Sequence, residues 1–293
     1  MSVPTQIEKQ DIDPERRDDW QEVNNYVKAM NTAIDELEKL PLSSRLIRNA
    51  HKILLSSVRG EQKNPGEFRR SQNWIGGTGI SDAVFIPPAH HKLPELLTDF
   101  EKFLNNNQMA IPHLIRIAIA HYQFETIHPF LDGNGRIGRL LITLYLVYSG
   151  VLYQPLLYLS DFFERHKTLY YDNLTFVRTK NDLGQWIRFF LTGVTETAEN
   201  AVATLHKIID LKSDIEKNDI IGMGKRSRKA MMLLNHLFKN PVINVKDVQA
   251  VTNLSPKAAN DLVQVFIENK ILKEITGYRR NRVFAFENYI KLF

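Results

Sequence analysis

Between Pro112 and Gly150 the chain places two apolar stretches, PHLIRIAIAHYQFETI and LLITLYLVYSG, on either side of HPFLDGNGRIGR. Apolar residues at this density and spacing predict two helices with extensive faces to bury. Pro112 suits the first turn of one helix, and Gly150 suits the C-terminal cap of the other. Gly133, Asn134 and Gly135 lie between the two runs and predict a tight turn that opens the second helix. Most of the remaining sequence also reads as helix, over 14–37, 43–57, 93–105, 160–178 and 183 to about 216. A Gly-, Asn- and Pro-rich break, GEQKNPGEFRRSQNWIGGTGISDAVFIPP, predicts loop with a short hairpin. Past GMGKRSRKA, helices are expected at 231–238, 245–251 and 255–269, the last with Ser255 as N-cap, followed by β-like runs at 271–275 and 282–286.

The 293 residues allow roughly two domains of about 150 each. No cysteine occurs, which excludes disulfides, thiol nucleophiles, cysteine zinc sites and iron–sulfur clusters. No apolar run reaches membrane-spanning length, and MSVPTQIEKQDIDPERRDDW has no signal-peptide character. A soluble, cytoplasmic protein is the expectation. Charge is uneven. Residues 219–293 hold 13 Lys and Arg against 6 Asp and Glu, or +7, which leaves 25 against 27, or −2, for the rest. The expected division is an N-terminal helical segment (1–45), a core (46–218) and a basic domain (219–293). The basic domain could meet nucleic acid or an acidic protein, or simply present a solvated face.

The glycine turn carries the chemistry. Glycines let backbone N–H groups approach a ligand without interference from Cβ, and a helix N-terminus adds unpaired donors and a positive dipole end. Together these make an anion site suited to phosphate. Arg136 and Arg139, three residues apart, can face one side and imply an anion of several charges, such as a di- or triphosphate. Asp132 is a carboxylate of the kind that holds Mg²⁺ beside bound phosphates. His128, at the end of the preceding helix, is a candidate general base.

From His128 to Arg139 the chain resembles the Fic family motif, His-Pro-Phe-x-Asp/Glu-Gly-Asn-Gly-Arg-x-x-Arg, at every specified position. The similarity extends over roughly 23–203. SQNWIGG from Ser71 and AVFIPP from Ala83 resemble the family's flap, and FFERHKTLYYDNL from Phe162 resembles the helix that closes its nucleotide pocket. The resemblance implies a mainly α protein with a Fic-type helical core and a short β-hairpin flap. It implies a protein adenylyltransferase that moves AMP from ATP, with Mg²⁺, onto a Tyr, Ser or Thr hydroxyl and releases pyrophosphate.

Roles follow position by position from the resemblance. His128 takes the hydroxyl proton, Phe130 anchors the loop, and Asp132 binds the metal. Gly133, Asn134 and Gly135 cradle the phosphates, with Asn134 near the α-phosphate. Arg136 holds the β-phosphate region and Arg139 reaches the γ-phosphate. Ala83, Val84 and Phe85 lie in the flap, on which the target protein docks by strand addition. Tyr170 and Tyr171 flank ribose or adenine, or serve as ordinary core aromatics. Gly135 separates the chain from Doc relatives, which carry lysine there and act as kinases.

Many relatives are restrained by a Ser/Thr-x-x-x-Glu-Gly/Asn helix whose glutamate pairs with the second motif arginine, here Arg139. The single pattern match, TETAEN at 195–200, follows the core and reads as coincidence. A separate inhibitory partner, a trimmed chain or an unrestrained enzyme are the options. The basic part resembles a small C-terminal winged helix-turn-helix domain, with Lys257, Asn260 and Gln264 on the helix placed for recognition and GYRRNR as its wing, open to DNA or protein contact. The alternatives to the adenylyltransferase are a nucleotide-sensing DNA-binding regulator, and a Fic enzyme with another donor or with de-AMPylating activity.

Overall fold

The computed structural model describes residues 14–56, 63–278 and 281–293. The start of the N-terminal segment and the wing residues Arg279 and Arg280 lie outside the described residues. What is described falls into two compact units, one running to Glu199 and one from Asn200 to Phe293.

In the first unit, helix α1 (Pro14–Leu37) turns Ala29, Met30 and Ala33 into the core and packs on α2 (Ser44–Leu54). The Ser43 side chain accepts the Leu46 N–H to start α2, whose Leu46, Ile47, Ala50 and Leu54 repeat at helical spacing and are buried. Helix α3 (Leu93–Leu104) buries Leu93, Leu97, Phe100 and Leu104 in the same way. The two apolar runs are α4 (His113–Ile127) and α5 (Asn134–Tyr148), packed on each other at the centre of this core. Ten of the fifteen residues of α5 are buried, which explains its near-continuous apolar sequence. Gly150, at φ 72°, lies one residue past the Ser149 cap.

Two expectations need correction. The helix expected over 160–178 is two helices, α6 (Leu159–Arg165) and α7 (Lys167–Lys180). His166, at φ −111° and ψ 34°, breaks the helical path between them and packs its ring 4.6 Å from Phe162. The flap is not a regular hairpin either. Its pairing is the single bridge Ile75–Phe85 around a 3₁₀ turn at Ile80–Asp82. Gly76 and Gly77 sit at positive φ and bend the chain out of strand geometry, and the Asp82 carboxylate accepts the Thr78 and Gly79 N–H groups instead.

Helix α8 (Leu183–Asp214) begins by donating the Trp186 indole N–H to the Ala118 carbonyl of α4 at 2.8 Å. The core of the second unit takes in Ile208, Leu211, Ile215 and Ile220, upstream of or close to the boundary expected after Asn218. Its elements are α9 (Ser227–Leu237), β1 (Val242–Asn244), α10 (Val245–Thr252), α11 (Pro256–Glu268), β2 (Lys273–Glu274), β3 (Val283–Ala285) and α12 (Glu287–Ile290). The sheet is antiparallel in the order β1-β3-β2, with Ile243 opposite Phe284 and Lys273 opposite Ala285. Strand β1 and helix α12 were not expected from the sequence. On α11, Asn260 and Gln264 are exposed but spend their amides on Pro256 and Glu268 of the same helix.

Candidate active site

His128 ends α4 in the left-handed region, at φ 47° and ψ 60°. For a residue with a side chain this conformation costs about 1–2 kcal/mol, so the surroundings must hold it. Two donors do so. The His128 carbonyl accepts Arg69 Nε–H at 3.0 Å and the Asn73 amide at 3.2 Å. Arg69 also donates to the carbonyls of Ser71, Ile127 and Pro88, and its own N–H bonds the Pro129 carbonyl. The segment before the flap therefore braces the motif from outside it.

Below the loop, Phe130 is fully buried and stacks on His51 with ring centroids 3.7 Å apart. His51 accepts the Gly66 N–H at Nδ1 and donates Nε2–H to the Asp132 carbonyl at 3.0 Å, which fixes its tautomer. Its pKa is lowered by burial. Gly133, at φ 75°, is the N-cap of α5, and its face meets the His51 ring. Asn134 is buried, and its amide takes the Phe130 N–H and donates to the Phe130 carbonyl, both at 2.8 Å. Its side chain thus locks the loop, and both of its polar groups are committed there.

Asp132 is exposed. One carboxylate oxygen accepts the Gly133 N–H at 2.6 Å and the other lies 3.7 Å from Arg136. Arg136 also pairs with Glu22 of α1 at 3.1 Å. Among the described residues no carboxylate pairs with Arg139, and none of its His, Asp and Glu residues gather as three or more metal ligands. Glu199 of the TETAEN match is exposed on α8.

Arg139 lines a cavity of about 260 Å³ with Ser160, Phe163, Glu164, Lys167, Tyr170 and Tyr171. Tyr170 is both core and cavity wall. It is 5% exposed, and its hydroxyl bonds His121 Nε2 at 2.9 Å. Tyr171 is half exposed at the rim. His121, fully buried, donates Nδ1–H to the Gly138 carbonyl at 3.0 Å, which ties α4, α5 and α7 together. Burial lowers its pKa to about 4. In the flap, Val84 is exposed, Ala83 and Phe85 are half-buried, and the Phe85 ring lies under Arg178 of α7 at 3.6 Å.

The His128 ring is mostly buried and its pKa falls to about 4, because of burial and then the nearby Arg69 and Arg178 guanidiniums. It is neutral at physiological pH and able to accept a proton. The sequence reading missed the residues that brace this loop, His51, Arg69 and Asn73, and the buried polar residues beneath it, His121, Glu125 and Arg178. Their identities carry no contiguous pattern. The one signal for some of them was polarity inside an apolar run, as in the HYQFE stretch of α4.

The Fic/DOC family model matches residues 41–146. The protein adenylyltransferase Fic of Aedes aegypti is 40% identical over 125 residues, 42% of this chain and 22% of that protein. Its namesake in Drosophila melanogaster is 30% identical over 164 residues, 56% of this chain and 30% of that protein. The chain thus spans less than a third of the length of these curated relatives. The crystal structure of a Fic family protein from Desulfovibrio desulfuricans is similar with a TM-score of 0.54 at 23% identity, over 91% of this chain and 74% of that one. Fic-1 from C. elegans gives 0.50 at 22% identity, over 70% and 55%. The fold is therefore of the Fic type. No helix among the described residues is long and apolar enough to cross a membrane.

Proposed function

We propose that this chain is a protein adenylyltransferase of the Fic type, transferring AMP from ATP to a hydroxyl side chain of a target protein. The observation that carries the reading is one braced loop that joins a neutral His128, an exposed Asp132 and the N-terminus of α5, next to a cavity lined by Arg139.

The substrate hydroxyl oxygen attacks the α-phosphorus, and the bond from that phosphorus to the oxygen bridging to the β-phosphate breaks. His128 takes the hydroxyl proton, and pyrophosphate leaves. Catalysis rests on positioning and charge stabilisation. The N–H groups opening α5, with Gly133 and Gly135 leaving the backbone bare, receive phosphate oxygens. Arg136 exchanges Glu22 for the β-phosphate region. Arg139, with no carboxylate of its own among the described residues, serves the γ-phosphate or the carboxylate of a separate inhibitory partner. Tyr170 and Tyr171 wall the nucleoside cavity.

A single exposed carboxylate fits Mg²⁺, which takes one or two protein oxygens and leaves the rest to substrate phosphates and water. Asp132 would hold it, and the ion when bound neutralises charge across the phosphates. Ala83, Val84 and Phe85, on a flap with little pairing of its own, offer a backbone edge to the target. The second unit is proposed as a winged-helix accessory module for DNA or protein contact. A cytoplasmic site of action belongs to the same proposal.

Incubation with ATP and Mg²⁺, followed by mass spectrometry of the protein and of lysate proteins, tests the reaction. AMP adducts on Tyr, Ser or Thr that vanish with His128→Ala support it. Equal adducts with that variant, or none with either, contradict it.

A further inference from the structure

Beneath His128 lies a cluster of buried polar atoms that the proposed reaction does not use. Glu125 sits one turn earlier on α4 and is 6% exposed. One of its carboxylate oxygens lies 3.9 Å from His128 Nδ1. Its other oxygen and Arg178 Nε are buried with no hydrogen-bond partner among the described residues; His128 Nδ1 is buried too, and the backbone carbonyl of Glu125, which faces the ring, is the competing acceptor for its proton. Such orphaned groups are rare in folded proteins and costly to keep. The fold makes room for the carboxylate, because a Cβ at Gly138 of α5 would overlap the Glu125 oxygen.

Burial raises the Glu125 pKa to about 7, opposed by Arg139 and Arg178. The groups facing it are His128 on its own helix, Arg139 of α5, and Arg178 and Tyr170 of α7. A buried carboxylate beside an imidazole can fix the ring's tautomer and orientation by accepting a hydrogen bond from one nitrogen, which leaves the other as a base. At 3.9 Å the two groups stand a small side-chain movement short of that bond.

We propose that Glu125 is the positioning residue of this site: its carboxylate accepts Nδ1–H of His128 and so presents Nε2 as the unprotonated nitrogen that takes the substrate proton. Arg178 stabilises the carboxylate from one side while its guanidinium covers Phe85 of the flap, so base and flap share one support. The inference rests on His128 being the base of the proposed transfer, but its first test does not need the reaction.

The full chain labelled with ¹⁵N-histidine, at pH 8, reports the ring tautomer by long-range nitrogen–proton spectra, with His128 assigned by its loss in His128→Ala. An Nδ1–H ring is expected in the wild type, and Glu125→Gln and Glu125→Ala should shift it toward Nε2–H. An Nε2–H ring in the wild type, or an Nδ1–H ring untouched by either variant, overturns the proposal. In the transfer assay Glu125→Gln should lower kcat by about 10²–10⁴-fold and change KM for ATP by less than about threefold. Its melting temperature at pH 8 should be no lower than that of the wild type, because the substitution removes a buried charge. A glutamate that serves structure alone would instead lower the melting temperature and spare kcat. Loss of labelling in His128→Ala, with wild-type kcat and tautomer in Glu125→Gln, would remove this inference and leave the adenylyltransferase reading in place.

Discussion

The motif loop and the flap lie side by side in the first unit and are built on opposite principles. From Ile127 to Asn134, carbonyl after carbonyl is taken by a named donor: Ile127 and His128 by Arg69, His128 and Phe130 by Asn73, Asp132 by His51, and Phe130 again by Asn134. From Ile75 to Phe85 one bridge closes the segment, Val84 points largely into solvent, and Ile80 and the following Ile86 are half exposed. Chemistry at phosphorus needs groups held to a fraction of an ångström, whereas docking of a protein segment needs an edge that can adjust. On the proposed function, the difference in bracing would follow that difference in task.

The largest effect is expected in the loop: His128→Ala should reduce AMP transfer by about 10²–10⁴-fold with little change in melting temperature, since the ring holds no other element. Acid should come next. His121 is buried neutral with its pKa lowered from 6.5 to about 4, so its contribution is complete above pH 6.5 and is lost as pH falls toward 4. That is worth roughly 3 kcal/mol, and His51 and His128 shift in the same direction. Hydrogen exchange between pH 7 and 4.5 should therefore loosen α4 and α5 first. Unchanged protection of those helices across that range would argue against a neutral histidine bed.

Asn134→Ala removes two buried bonds and should cost about 2–4 kcal/mol, read as a lower melting temperature and lower kcat together. Gly133→Ala forces a side chain to φ 75° against His51 and should cost about 1–2 kcal/mol. Smallest of all in stability, Val84→Ala in the flap should stay within about 0.5 kcal/mol while KM for the protein target rises. A flap variant that lowers the melting temperature as far as Asn134→Ala does, or an Asn134→Ala that leaves it unchanged, would erase the contrast.

Contiguity explains what the sequence made legible. Twelve consecutive residues, His128 to Arg139, spelled out the proposed base, the carboxylate, the turn and both arginines, and periodicity placed α1 through α5 within three residues. The braces were illegible because each is an ordinary polar residue far away in the chain: Arg69 and Asn73 lie in a loop more than fifty residues before His128. The break at His166 was hidden because both flanking segments are helical in pattern. Strand β1 is three residues long and runs straight into the Asn244–Asp247 capping box of α10, so it gave no period-two signal.

Activation of a hydroxyl against the α-phosphorus is what the loop is proposed to achieve. It is tested most directly by supplying ATP carrying a phosphorus label at either the α or the γ position, with Mg²⁺, to the wild-type chain and to His128→Ala. Protein should be labelled from the α position only, and only by the wild type. Label arriving from the γ position, or α label undiminished in His128→Ala, would contradict it.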